Sequence, residues 1–228
     1  MTNIKILDCT LRDGGYVNNW EFGKNNIHKV IENLTNAGIE FIECGFLKTS
    51  EFIENKSFFD SFKNLEKFIL ENNSNTKYAL MINYGEVDID LIPENKNKNL
   101  ILRIAFKKNQ AAECLEYCEK LIKKGYDIFI NPMHTGSYSS IELIEVIKRA
   151  NNIKPLAFTI VDTTGSMKEQ DLLSIYYLVN SNLDNDIALC FHSHNNLQLS
   201  FSNAQCLMNI CKNRELIIDA TIFGMGRG

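Results

Sequence analysis

Short apolar runs alternate with segments of helical period along the chain. The runs fall at 5–9 (KILDC), 41–46 (FIECGF), 77–83 (KYALMIN), 100–106 (LILRIAF), 127–133 (DIFINPM), 155–161 (PLAFTIV), 187–192 (IALCFH) and 216–223 (LIIDATIF). Each is nearly continuous in Val, Ile, Leu and Phe, as expected of a strand buried on both faces. Between them, apolar residues recur three and four apart. Positions 27, 30, 31, 34 and 37 precede Gly38, and positions 111, 114, 115, 118, 121 and 122 precede Gly125. Both patterns predict one-faced helices with a glycine stop. Ser139 with Glu142, and Ser166 with Glu169, have capping-box spacing and predict two further helix starts. The third crossover, around Val87 to Leu91, is short.

Eight strands separated by helices predict a parallel sheet closed into a (β/α)8 TIM barrel rather than an open doubly wound sheet. No GxGxxG follows the first strand, which weakens the open alternative. The sequence stops at GMGRG directly after the eighth strand. The expectation is therefore one catalytic barrel over 1–228, with the eighth helix absent and the uncovered strand favouring association. The 3 prolines and the lack of Ser/Gly-rich stretches leave no linker to divide the 228 residues.

Composition narrows the function. The net charge of −4, with no basic stripe, argues against nucleic acid. No run is long enough for a membrane span, and the first residues lack the layout of a signal peptide. The 7 cysteines include no CxxC pair and fit free thiols in a reducing cytoplasm.

In a parallel barrel, chemistry sits where strands end. Those places hold Arg12, Asp13 and Tyr16 after the first strand, and Glu43 then Lys48 at the second. Arg103 lies on the fourth, Asn131 and His134 at the fifth, and Asp162 at the sixth. His192 and His194 end the seventh, and a glycine-rich loop follows the eighth. His192 and His194 are two apart, so both imidazoles face one side. Two histidines and a carboxylate make a facial metal set with about three octahedral positions left open. Asp13 supplies a carboxylate across the mouth, with Gly14 and Gly15 furnishing unusual turn dihedrals beside it. Arg12 is placed to stabilise the oxygen of a developing enolate. Glu43 and Asp162 are read as facing the same mouth, as base, hydroxyl acceptor or partner of Arg12. Lys48 lies beyond its strand, and the sixth strand carries no lysine, which weakens Schiff-base chemistry.

DCTLRDG, IECGF, VDTTG and HSHNN together resemble the HMG-CoA lyase-like (DRE-TIM) metallolyases. Within them the chain is most similar to the 4-hydroxy-2-oxovalerate aldolase branch. The resemblance implies a (β/α)8 barrel. It implies that Asp13, His192 and His194 hold a divalent ion, usually Mn2+ or Mg2+, and that Arg12 holds the pyruvate enolate. Glu43 and Asp162 fall on acidic positions that shape the site. The implied reaction cleaves a 4-hydroxy-2-oxo acid into pyruvate and an aldehyde, with room for a homo-oligomer or an aldehyde-channelling partner. Where these aldolases carry a histidine for proton transfer, this chain has Tyr16, a poor base but a usable acid or relay. An acyl-CoA-dependent Claisen synthase of the isopropylmalate or citramalate kind is the alternative enzyme. A biotin-dependent carboxyltransferase is disfavoured, and a non-catalytic barrel fragment is the reading from another class.

Overall fold

The computed structural model describes residues 4–69 and 75–227. The elements in chain order are β1 (Ile4–Asp8), α1 (Thr10–Asp13), α2 (Gly15–Asn18), α3 (Lys24–Asn36), β2 (Phe41–Leu47), β3 (Phe58–Phe59), α4 (Phe62–Glu66) and β4 (Lys77–Asn83). They continue with β5 (Leu100–Phe106), α5 (Ala111–Lys123), β6 (Asp127–Pro132), α6 (Ser140–Ile153), β7 (Ala157–Asp162), α7 (Glu169–Asn182), β8 (Ala188–Ser193), α8 (Ser200–Ile210) and β9 (Leu216–Ala220). The strands run in the order β1-β9-β8-β7-β6-β5-β4-β2, and β1 also pairs with β2, closing the ring. Every pairing is parallel, so this is the eight-stranded barrel expected from the pattern. The two-residue β3 is a small addition alongside the end of β2.

Pairing around the ring is uneven. β4–β5, β5–β6 and β7–β8 each match six residue pairs. β6–β7 matches only Phe129 with Ala157 and Ile130 with Phe158, and β1–β2 only Leu7 with Phe41 and Asp8 with Ile42.

The alternation of strand side chains sorts the interior. Leu7, Phe41, Ala79, Ile101, Phe129, Ala157, Ala188 and Ile217 point inward and fill the lower barrel. Alternate residues such as Ile42, Leu80, Leu102, Ile128, Phe158 and Leu189 pack outward under the helices. One inward step above the apolar layer, the same strands carry Glu43, Arg103, Asn131, Thr159 and Asp219, and a polar layer lies beneath the mouth.

Gly38 (φ +75°) and Gly125 (φ +89°) end α3 and α5 as the spacing predicts. Glu142 and Ser139 form the expected capping box of α6, with Ser139 N donating to Glu142 Oε2 at 2.7 Å and Glu142 N to Ser139 Oγ at 3.4 Å. The box predicted from Ser166 and Glu169 does not form. Ser166 N donates to Asp162, and α7 starts with Lys168 N donating to the Asp171 carboxylate. The short third crossover is a 3-10 turn, Ile89–Leu91. After β9 only another 3-10 turn, Ile222–Gly224, follows among the described residues. The strand expected over 216–223 stops at Ala220, where Thr10 Oγ1 takes the Ile222 amide. Gly228 lies outside the described residues.

The floor of the barrel has its own fastening. The buried Arg214 guanidinium donates to the carbonyls of Asp184, Ile187, Asn180 and Leu183 at 2.9–3.1 Å. Its Nε donates to Asn180 Oδ1 at 2.7 Å. One side chain thus satisfies four carbonyls where α7 turns into β8. Among the described residues no helix is long and apolar enough to cross a membrane.

Candidate active site

The amides of Arg12 and Asp13 both donate to Cys9 O, at 3.1 and 2.7 Å. This bends the chain from β1 into α1 and turns both side chains inward, where they are buried. Gly14 itself is helical, with φ −58°, so it supplies no left-handed dihedral. Gly14 and Gly15 are needed for room instead. A Cβ on Gly14 would lie 2.3 Å from Thr10 O, and one on Gly15 would lie 2.0 Å from the Trp20 ring. Trp20 Nε1 donates to Arg12 O at 2.7 Å and props the turn.

The structure brings Asp13, His192 and His194 together. One donor atom from each lies within 4.8 Å of the others, and all three residues are buried. The two imidazoles stand edge to face at 4.9 Å. His194 Nδ1 has no hydrogen-bond partner among the described residues and lies 3.7 Å from Asp13 Oδ2. A buried imidazole nitrogen and a carboxylate left facing each other are short of a cation. Burial and His192 push His194 down to about 3, so it is a neutral, lone-pair donor at physiological pH. Burial opposes ionisation of Asp13, but Arg12, His192, His194 and Arg227 outweigh it and hold the carboxyl below its usual range. The donor set therefore fits a divalent ion. A second grouping, Cys9, His192 and Asp219, fits less well. Burial drives the Cys9 thiol well above its ordinary range, its Sγ donates to Ala220 O, and Asp219 is already shared among Arg103, His192 and Cys190.

A chain of alternating charge joins this group to the polar layer. His192 Nδ1 lies 2.7 Å from Asp219 Oδ2, which also receives Arg103 Nη2 at 2.6 Å. Arg103 Nη1 lies 3.1 Å from Glu43 Oε2, which receives Arg12 Nε at 2.7 Å. Arg12 Nη1 donates to Asp13 Oδ1 at 2.8 Å and closes the circuit. Burial disfavours the charge on both arginines, yet the facing carboxylates, Glu43 and Asp13 for Arg12, Asp219 and Glu43 for Arg103, raise them above their ordinary value. Asp219 is lowered by Arg103 and His192 although burial of its side chain works the other way.

The remaining sequence candidates fall elsewhere. Glu43 is fully buried between two guanidinium groups, the ion-pair partner among the roles considered for it. Tyr16 stands half exposed at the rim, edge-on to Trp20 and 4.4 Å beneath the Arg227 guanidinium. Asp162 does not face the mouth. Its carboxylate accepts the amides of Ser166 and Met167 and shapes the β7–α7 loop. The reason is parity: Val161 lines the mouth, so its neighbour points the other way. The Asp162 carbonyl does reach the site indirectly, by accepting the His194 amide at 3.3 Å. Lys48 lies over the Phe46 and Phe58 rings, 4.7 Å from the latter.

A pocket of about 60 Å³ opens above this layer. Its polar wall includes Arg12, Arg103, His192, His194 and Arg227, and Phe46, Met81, Ala105, Met133 and Val161 form its apolar wall. Asp219 and Arg227 were not singled out from the sequence. Arg227 comes from the glycine-rich loop, which lies against Asp13 so closely that a Cβ on Gly226 would sit 2.7 Å from Asp13 Oδ2. Arg227 Nη2 is 3.5 Å from Asp13 Oδ1.

The HMGL-like family model matches residues 3–228. An oxaloacetate decarboxylase of Mycobacterium tuberculosis is 24% identical over 98% of the chain. A 4-hydroxy-2-oxovalerate aldolase of Geobacillus genomosp. 3 is 24% identical over 99%. The chain spans 65% and 66% of those two proteins, just under two thirds of their length. Among solved structures, the N-terminal domain of a provisionally assigned aldolase from Bacteroides vulgatus is 25% identical. It superimposes with a TM-score of 0.76 over 98% of this chain and 74% of that one.

Proposed function

From the premise that the chain belongs to the HMGL-like family, we propose that it is a divalent-metal-dependent carbon–carbon lyase acting on a small 2-oxo acid. The observation that carries this is the convergence of Asp13, His192 and His194 beside Arg12 at the floor of the pocket. Asp13, His192 and His194 would hold the ion. When bound, it supplies a Lewis acid for the oxygens of a 2-oxo acid, Mn2+ and Mg2+ being the ions expected.

The protein's own groups do the rest. Arg12 is fixed through Nε and Nη1 by Glu43 and Asp13, leaving Nη2 without a hydrogen bond among the described residues. A guanidinium held this way is preorganised for an oxygen that gains charge as a neighbouring C–C bond breaks. The apolar wall keeps water from the carbon end of such a species. In the aldol direction, the bond between C3 and C4 breaks, its electron pair enters the enolate, and the 4-hydroxyl loses its proton as an aldehyde leaves. C3 of the enolate then takes up a proton to give pyruvate. Tyr16 is the group at the rim for the hydroxyl proton, because Glu43 is spent on two arginines and Asp162 on its loop.

That shortage of a free base supports a second reaction within the same reading. Loss of carbon dioxide from a 2-oxo acid that carries a carboxylate on C3 breaks the bond from C3 to that carboxylate, leaves the same enolate and needs no base.

The test is product release from metal-stripped protein with Mn2+, Mg2+ or no ion, on 4-hydroxy-2-oxopentanoate and on oxaloacetate. Metal-dependent pyruvate formation that Asp13→Asn abolishes is the expected result. Which substrate yields it chooses between the two reactions. No turnover of either by folded, Mn2+-binding protein overturns the lyase assignment.

A further inference from the structure

We propose that Arg103 and Asp219 are positioning residues that set the metal-side histidine and the enolate-side arginine in one geometry. The inference rests on the reading that Asp13, His192 and His194 hold a divalent ion. It concerns Asp219, which lies beneath the pocket, and Arg103, whose guanidinium borders the pocket and is held between Asp219 and Glu43.

Asp219 sits on β9 and is almost fully buried, 2.7 Å from His192 Nδ1. A carboxylate there accepts the hydrogen bond from Nδ1–H, fixes the tautomer and would leave the Nε2 lone pair free for an ion. Arg103 sits on β5, with no exposed surface. Its guanidinium reaches a carboxylate on each side, Asp219 at 2.6 Å and Glu43 at 3.1 Å. Glu43 in turn holds Arg12 Nε at 2.7 Å. One planar cation thus fixes the orienter of His192 and the orienter of Arg12 together. The Phe129 ring, 5.4 Å away, and Asn131 confine it.

Barrel closure does not require this arrangement. Equivalent inward positions one layer below are apolar, and well-packed apolar residues usually serve stability as well as buried ion pairs or better. The circuit holds three carboxylates, Asp13, Glu43 and Asp219, against two arginines, Arg12 and Arg103. Arg227 at the rim, 3.5 Å from Asp13, brings a third guanidinium to the third carboxylate beside the two histidine rings.

The experiment is Mn2+ titration by calorimetry at pH 7.5 on wild type, Asp219→Asn, Arg103→Lys and the control Thr35→Ala. Thr35 is buried outside the circuit, bonded to Ile31 O and the Tyr78 hydroxyl. Asp219→Asn is expected to weaken Mn2+ binding about 10–100-fold. Arg103→Lys keeps the charge but cannot span both carboxylates, and at least a threefold loss is expected. Thr35→Ala should lower Tm and leave Kd alone. Wild type that binds no Mn2+ removes the metal reading, and this inference with it. Wild type that binds while Asp219→Asn binds within threefold removes this inference and leaves the metal reading standing. An unchanged Kd in Arg103→Lys removes the part assigned to Arg103.

If Asp219→Asn fails to fold, the histidine tautomer decides. Ring 15N shifts of His192 in metal-free wild type at pH 8 should report Nδ1–H. A resting Nε2–H form overturns the proposal.

Discussion

Replacing Arg214 by methionine isolates the floor of the barrel from its mouth. Methionine keeps much of the apolar stem but donates no hydrogen bond. Four carbonyls at the junction of α7 and β8 would lose this donor, and those of Asn180, Leu183 and Ile187 would be left without one among the described residues, while Asp184 O still accepts the Ile187 amide at 3.1 Å. Each orphaned buried carbonyl costs about 1 kcal/mol or more. Water reaching the outer ones offsets part of that, so the expected loss is about 3–5 kcal/mol. For a chain of this length that corresponds to a fall in Tm of about 10 °C. Urea unfolding followed by far-UV circular dichroism gives the free energy, and a thermal scan checks it. Because Arg214 precedes β9 and the site follows it, Mn2+ affinity in the remaining folded protein should be unchanged. A loss below about 1 kcal/mol would refute the assignment of Arg214 as the fastening, and an altered Mn2+ affinity would refute the separation of floor from mouth.

Other outcomes follow from single features. Burial raises the Asp8 carboxyl to about 6 in the folded protein, despite two bonds from Thr10. Its unfolded value is about 3.9, so the native state holds the proton more tightly, and the cost of the buried charge is present above pH 6 and relieved as pH falls toward 4. Asp8→Asn should therefore be more stable than wild type at pH 7, by up to about 3 kcal/mol, with the gap closing by pH 4 in paired urea titrations. Gly15→Ala should displace Trp20, cost about 1–3 kcal/mol and red-shift the emission of this only tryptophan. Mn2+ should quench that emission in wild type and leave Asp13→Asn unquenched. Asp162→Ala should release the β7–α7 loop, raising its amide exchange at Ser166 and Met167 and weakening Mn2+ binding less than Asp13→Asn does.

The strands were legible in the sequence because burial on both faces writes them as continuous apolar runs, and β4 and β5 have the very bounds read from KYALMIN and LILRIAF. His192 and His194 were legible because they end such a run. Asp219 was not, although LIIDA carries a lone charge inside an apolar strand. The signal was present twice, since LILRIAF also carries one charge, of opposite sign. Two such charges at inward positions call for each other across the barrel. Asp162 was misplaced by reading position along the strand without its parity. Gly14 and Gly15 were misread because sequence shows a missing side chain but not which atoms occupy its space. Arg227 lies in a loop whose path along Asp13 no periodicity encodes.

The two thin pairings in the ring have a mechanical meaning. They divide the barrel into four-stranded staves, β2-β4-β5-β6 and β7-β8-β9-β1, within which neighbouring strands match three to six residue pairs. Asp13, His192, His194 and Asp219 all belong to the second stave, and Glu43 and Arg103 to the first. The Arg12–Glu43 pair therefore crosses the β1–β2 joint, and the Arg103–Asp219 pair spans the barrel interior from one stave to the other. The cluster that equips the mouth for chemistry therefore also ties the two staves to each other through side chains, inside a ring that backbone pairing already closes.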